Sequence, residues 1–221
     1  MGTKYTIVDT CQIEPLAELY EKHIGYKTDG YFVDVGAFDG VTWSNAWGLA
    51  DAGWGGLLVE PNLEFFEKCA KVYDGNPRVE MVNVAVGPYH GRARLYVGGS
   101  LSTLCRDTII TYRSIPELAF TGLDVANYVE VEVFTLDKLL AKFNILPGFD
   151  VLSVDVEGAE MDVLRGFSVD KYRPTMVIVE THARHKDERL SYKAIPVRHF
   201  LRHFGYEEVY ANYINSIFVR M

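Results

Sequence analysis

An apolar run that meets an acid and then a glycine turn constrains this chain more than any other stretch. Residues 31–45 read YFVDVGAFDGVTWSN. Tyr31-Phe32-Val33 suits a buried strand, Asp34 interrupts it, Gly36 and Gly40 bracket a tight turn, and Thr42 or Ser44 can start a helix. Strand, glycine turn and helix, in that order, open an α/β domain that holds a nucleoside or dinucleotide at the strand tip. Gly36 lets the backbone approach a ligand and Gly40 lets the helix pack close to the strand. The spacing is D-x-G-x-x-x-G, with Phe38 where a dinucleotide loop has its middle glycine. A dehydrogenase is therefore disfavoured, because a pyrophosphate needs the more open loop.

A second strand follows. Gly56–Asn62 reads GLLVEPN, a buried strand tipped by Glu60, with Pro61 to stop it and Asn62 to cap the next helix. An acid there grips a ribose, since a carboxylate accepts from both hydroxyls. Asp34 and Asp39 beside the turn suit a cationic nucleoside, and S-adenosylmethionine, with a sulfonium, an amine and a ribose, fits both acids and Glu60. The helix after the turn is expected over Ser44–Ala52, the next over Leu63–Val72, and a third strand over Val79–Val86. Near the tip of that strand, Asn83 can bond an adenine edge and small Ala85 leaves room for the ring.

The alternation of strand and helix calls for a parallel sheet with right-handed crossovers. It breaks over residues 88–134. RARLYV and YVEVEVF read as strands, GGSLSTL between them is rich in hydroxyls, and Cys105–Gly122 reads as irregular. Such an insertion is expected to form a lid or a substrate wall, with Ser100, Ser102 and Thr103 as contacts; surface-turn polarity accounts for them nearly as well. The α/β rhythm then resumes. Thr135 can cap a helix from Leu136. DVLSVDV is a buried strand tipped by Asp155, with Glu157 and Glu160 expected three apart on one face of the following helix. The helix dipole explains acids in a first turn, but not Asp155 inside an apolar strand tip. TMVIVE ends in Glu180, followed by Thr181 and His182. The segment from Ala183, with Arg184, His185, Lys186 and Arg189, is a charged connection or a substrate gate. A helix started by Pro196 and a closing antiparallel hairpin finish the sheet. Residues 1–30 contribute a leading helix over Glu14–Ile24, read as packing rather than a lid.

Composition sets the limits. The chain has 221 residues, 48% of them hydrophobic, which suits one domain over 1–221 with a sizeable core. A net charge of −8 disfavours affinity built on neutralising nucleic-acid phosphates. Cys11, Cys69 and Cys105 have no metal-like spacing and read as reduced thiols of a cytoplasmic protein. No stretch reads as a membrane span or signal peptide.

YFVDVGAFDGVTWSN, LLVEPN, VNVAVG, FTLDKLL, VLSVDVEGAEMDVLRGF and VIVETH together resemble the FkbM-type methyltransferases over about Tyr31–His182. The pairing of DVEGAE with VEPN is what makes the resemblance specific. It implies the class I methyltransferase fold, a Rossmann-like seven-stranded, mostly parallel sheet with an antiparallel C-terminal hairpin and helices on both faces. It implies S-adenosylmethionine as cofactor and O-methylation, often of a sugar hydroxyl in a glycan, glycolipid or natural product. By position, Asp34, Gly36, Ala37, Asp39, Gly40, Ser44 and Asn45 form the methionine-side loop, and Glu60, Pro61 and Asn62 the ribose end. Asn83 and Ala85 sit at the base, and Asp155 and Glu157 at the catalytic edge, with Asp155 also beside the cofactor.

The expected reaction is in-line displacement by an acceptor oxygen, with Asp155, Glu157 or His182 as general base. Ser102, Glu180 and His182 are candidate contacts for the sugar acceptor. Magnesium or manganese on Asp155, Glu180 and His182 is an alternative means of activating the hydroxyl. Two other classes stand beside this reading: a methyltransferase acting on RNA or protein, and a domain that binds the nucleoside without chemistry.

Overall fold

The computed structural model describes residues 4–115, 123–182 and 194–221. Seven strands form the main sheet: β1 (Tyr31–Val35), β2 (Gly55–Val59), β3 (Val79–Val82), β7 (Val151–Val154), β8 (Met176–Glu180), β9 (Tyr206–Ala211) and β10 (Asn215–Arg220). Their order is β3-β2-β1-β7-β8-β10-β9. The first five run parallel, and β10 lies antiparallel to both β8 and β9. The chain thus winds outward from β1 in one direction and returns to continue from β7 in the other. The crevice at this reversal is where an open α/β sheet takes its ligand.

Strands buried on both faces need apolar cover on both. On one face Val33, Val35, Val59, Val154 and Val179 pack against α5 (Leu136–Lys142), α6 (Glu160–Arg165) and α7 (Val169–Tyr172), and against α8 (Ala194–His203). On the other, Phe32, Leu58, Val151, Ile178 and Ile217 meet α1 (Leu16–His23), α2 (Trp47–Asp51) and α3 (Leu63–Val72). Trp54 and Tyr20 are fully buried on this second face. The leading helix is part of this core. Tyr20 donates from its hydroxyl to the Asn45 carbonyl at 2.8 Å, so α1 braces the glycine loop.

Two expected helix starts are borne out. Asn62 Oδ1 accepts from the Glu64 N–H at the start of α3, and Thr135 caps α5 by accepting from Lys138. Four expectations need correction. The third strand does not run through to Val86: it leaves the main sheet after Val82, and Ala85–Val86 forms β4, which pairs with β6 (Tyr128–Phe134) in a second sheet of order β4-β6-β5, where β5 is Gly91–Tyr96. Within the segment read as irregular, Arg106–Arg113 is a helix, α4. It buries Ile109 and Tyr112 with Tyr96 in a small core of the insertion's own. Glu157 does not lie on the helix with Glu160. Helix α6 begins at Glu160, and Glu157 sits before it with φ 54°. Helix α2 is shorter than expected, beginning at Trp47, and Ser44 Oγ turns the chain into it by accepting from the Ala46 and Trp47 N–H groups. The three cysteines are free. Among the described residues no helix is long and apolar enough to cross a membrane. The charged connection of 183–193 lies outside the described residues.

Candidate functional site

Strand parity assembles the site. Side chains two apart on a strand share a face. With Phe32 on the α1–α3 side, Asp34 follows it there; with Leu58, Glu60; with Val151, Ser153 and Asp155; with Ile178, Glu180. The register sets Asp34 directly beside Ser153 across β1 and β7. Five polar groups from four adjacent strands thus emerge on one side of the sheet's carboxyl edge. They line a cavity of about 710 Å³, within the size range of small-molecule sites.

The glycine loop forms one wall. The Gly36 and Ala37 N–H groups donate to the Val59 carbonyl, which pins the loop to β2. Gly36 has φ 91°, and a Cβ there would lie 1.7 Å from the Asp155 carbonyl oxygen. The glycine expected to admit a ligand is also what lets β1 and β7 close on each other. Gly40 (φ 84°) has a related role, since a Cβ there would meet Cys69 Sγ at 2.8 Å on α3. Asp39 organises the turn, with Oδ1 accepting from the Val41 and Thr42 N–H groups and Oδ2 from the Thr42 hydroxyl. Those bonds hold its carboxyl below the usual value despite partial burial. Phe38 and Trp43 are non-glycine residues at positive φ (50° and 57°); both line the cavity, and their rings stack.

Glu60 is fixed at the next strand tip. Oε2 accepts from the Phe38 N–H at 2.9 Å and Oε1 from the Asn62 N–H at 2.7 Å. Burial nevertheless pushes its carboxyl up to about 7, and that of Asp34 up to about 6. Asn83 does not contact the cavity. Its Nδ2 donates to the Glu60 and Pro61 carbonyls and ties the tips of β2 and β3 together. The wall expected from Asn83 and Ala85 is formed by Val84, Ala85 and Val86, because the chain turns to the second sheet at that point.

At the far end, one oxygen each of Asp155, Glu157 and Glu180 lie within 4.8 Å of one another. This carboxylate trio replaces the expected grouping of Asp155, Glu180 and His182. His182 instead turns its Nε2 to Glu180 Oε1 at 3.2 Å, with φ 49°. Glu157 is held from the insertion, with Oε2 accepting from the Tyr112 hydroxyl and its carbonyl from Thr103 Oγ1, both at 2.7 Å. The Asp155 carboxylate makes no hydrogen bond to another described residue and is partly open to the cavity. Burial and then the charge of Glu180 raise the Asp155 and Glu157 carboxyls well above the ordinary range.

Asp34, Gly36, Ala37, Ser44, Asn45, Glu60, Pro61, Ala85, Ser102, Asp155, Glu157, Glu180 and His182 therefore line one cavity. Asp39, Gly40, Asn62 and Asn83 support it from behind. Ser102 lines it with its hydroxyl engaged in its own turn, bonded to Gly99 and Gly98. Sequence reasoning missed Tyr112, Ser153, Phe38 and Trp43. The parity of β7 would have found Ser153; nothing in the sequence singled out Tyr112. The arrangement fits a cationic nucleoside: a carboxylate is anchored for two hydroxyls, and the buried Asn45 keeps Oδ1 without a hydrogen-bond partner among the described residues while its Nδ2 faces Ser153.

A model of the methyltransferase FkbM domain matches residues 34–208. Comparison with curated proteins gave no match. Among solved structures the chain is similar to a precorrin-6y C5,15-methyltransferase from Geobacter metallireducens GS-15, at 10% identity over 99% of this chain and 95% of that one, with TM-score 0.51. It is also similar to a protein assigned provisionally as a caffeoyl-CoA O-methyltransferase from Staphylococcus aureus, at 10% identity over 99% and 87%, with TM-score 0.51. At such identity the likeness is one of fold, that of the class I methyltransferases.

Proposed function

Because the chain belongs to the FkbM methyltransferase family and is accordingly an S-adenosylmethionine-dependent methyltransferase, we propose that its acceptor is an alcohol: a hydroxyl of a sugar in a glycan, glycolipid or glycosylated natural product. The observation that carries this reading is the Asp155 carboxylate, open to the cavity beside two further carboxylates within 4.8 Å. S-adenosylmethionine, when bound, supplies the methyl group on a sulfonium. Glu60 would accept from the ribose hydroxyls, and Asn45 Oδ1 would accept from the amine. Asp155 takes the proton of the acceptor hydroxyl, since Glu157 is bonded to Tyr112 and Glu180 lies against His182. Burial and the neighbouring carboxylates raise its carboxyl, which makes the Asp155 carboxylate a stronger base than a free aspartate. Glu157 and Glu180 accept from neighbouring hydroxyls and so orient the sugar ring, which is where positioning contributes to rate.

Methyl-labelled cofactor incubated with methyl glycosides, glycan fractions, short RNA and protein extracts tests this directly. Label on a carbohydrate oxygen, mapped by mass spectrometry, is the expected result. Label confined to RNA or protein replaces the reading. The carboxylate trio leaves room for a second version of the mechanism, in which Asp155, Glu157 and Glu180 would hold a magnesium or manganese ion that would supply Lewis-acid activation of the hydroxyl. Turnover unchanged after rigorous chelation removes that version.

A further inference from the structure

Of the three tryptophans, Trp54 is fully buried and Trp47 half-buried, whereas Trp43 is 44% exposed and lines the cavity. Its ring stacks on that of Phe38 with centroids 5.9 Å apart and an interplanar angle of 21°, and Phe38 is backed by Phe65 at 4.3 Å. All three residues line the same cavity. An aromatic ring left this open on a cavity wall has apolar surface and a π face to offer a ligand.

The backbone supplies a second observation. Phe38 and Trp43 both have positive φ (50° and 57°), a conformation that bulky residues rarely adopt and that persists only where the surroundings enforce it. Side chains enforce it here. Asp39 accepts from the Val41 and Thr42 N–H groups, and the Thr10 hydroxyl accepts from the Trp43 N–H at 2.9 Å. The turn itself does not call for aromatic residues, since glycine or asparagine suits either position better. Their presence side by side on the cavity wall therefore points to a ligand.

The loop fixes which part of that ligand they meet. The Phe38 N–H donates to Glu60 Oε2, on the carboxylate placed at the ribose, and Trp43 lies two residues before Asn45, placed at the amine. In S-adenosylmethionine the sulfonium sits between those two groups. We propose that Trp43, braced by Phe38, is a further cofactor-binding residue whose ring receives the sulfonium and so distinguishes the charged methyl donor from its neutral product. An aromatic face attracts a cation, tryptophan most strongly, and S-adenosylhomocysteine has only a neutral thioether at that place. This rests on S-adenosylmethionine as the donor and not on the sugar reading of the acceptor.

The test is calorimetry on the whole chain with S-adenosylmethionine and S-adenosylhomocysteine, in wild type, Trp43→Leu, Trp43→Asn and Trp43→Phe. Leucine keeps apolar surface without a π face, asparagine suits the left-handed backbone, and phenylalanine keeps an aromatic face; melting curves identify any variant that fails to fold. In Trp43→Leu and Trp43→Asn the affinity for donor relative to product is expected to fall by about threefold to thirtyfold, and Trp43→Phe should retain most of the wild-type ratio. Equal losses for the two ligands would place the ring on a part they share, the base or ribose, and overturn the proposal. An unchanged ratio in the folded Leu or Asn variant overturns it, as does a Trp43→Phe ratio as low as theirs. If the wild type binds neither ligand, the donor assignment itself falls and takes the proposal with it.

Discussion

The hydroxyl of Tyr112 donates to Glu157 Oε2 at 2.7 Å. This bond joins the insertion to the carboxyl rim of the main sheet, since α4 carries Tyr112 and Glu157 follows β7. Thr103 adds a second link to the same residue through its carbonyl. One acid, in a left-handed backbone conformation, is thereby gripped at both ends by a segment that belongs to another sheet.

Tyr112→Phe removes the donor and leaves the ring in place. A hydrogen bond to a carboxylate is worth about 1.5–3 kcal/mol, so kcat should fall roughly tenfold to a hundredfold. Affinity for S-adenosylhomocysteine should stay within about threefold. Adding Tyr112→Phe to Glu157→Gln should cost little more, because the partner is already changed. Fully additive losses in the double variant would show that the two act separately.

Asp155→Asn keeps the shape of the strand tip but abolishes its basicity. Methyl transfer should slow by about two orders of magnitude or more, with cofactor affinity little changed. Wild-type turnover in this variant would remove Asp155 from the mechanism.

Stability of the ligand-free protein should fall as pH rises. The folded Glu60 carboxyl titrates near 7 against an ordinary 4.5, and that of Asp34 near 6 against 3.8. Between each pair of values the folded state holds more protons than the unfolded chain, so these two groups give stability a negative slope with pH there, and their contribution ends above about 7. Glu60 alone contributes on the order of 3 kcal/mol across its window. Denaturant titrations at pH 5 and 8 should show the fall, and Glu60→Gln should flatten it even if the variant is weaker at both. S-adenosylhomocysteine should bind more tightly at pH 8 than at pH 6, since in ionised Glu60 each oxygen, already accepting one backbone N–H, keeps a lone pair for a ribose hydroxyl.

Gly36→Ala should cost well over 3 kcal/mol or prevent folding, because the new Cβ would lie 1.7 Å from the Asp155 carbonyl oxygen and φ is 91°. Gly75→Ala is the control. It has a similar φ of 80° and nothing within 4 Å, so only the backbone conformation is penalised, by about 1 kcal/mol. Similar melting temperatures for the two would remove the close approach of β1 and β7 as the reason for Gly36.

The main sheet was legible because its strands are apolar runs ending in acids, and an acid at the end of such a run has few other places to go. Asp34, Glu60, Asp155 and Glu180 could each be picked out by composition alone. Their convergence on one side was also available, from the alternation of side chains along each strand. What stayed hidden depended on tertiary contact. Asn83 reads as a ligand contact until its amide is seen tying two strand tips. Glu157 reads as helical because acids favour first turns, and the turn before α6 overrides that preference. Tyr112 sits on a helix of weak pattern, and its importance arises from packing across more than forty residues of sequence.

Val86 and Phe134 are hydrogen-bonding neighbours in the second sheet. To the rest of the chain, everything between them leaves and re-enters at a single point. A segment anchored in this way can be exchanged for another of different length at small entropic cost. Such an exchange would leave the strands of the main sheet where they are, provided the replacement still supplied the two hydroxyls that hold Glu157.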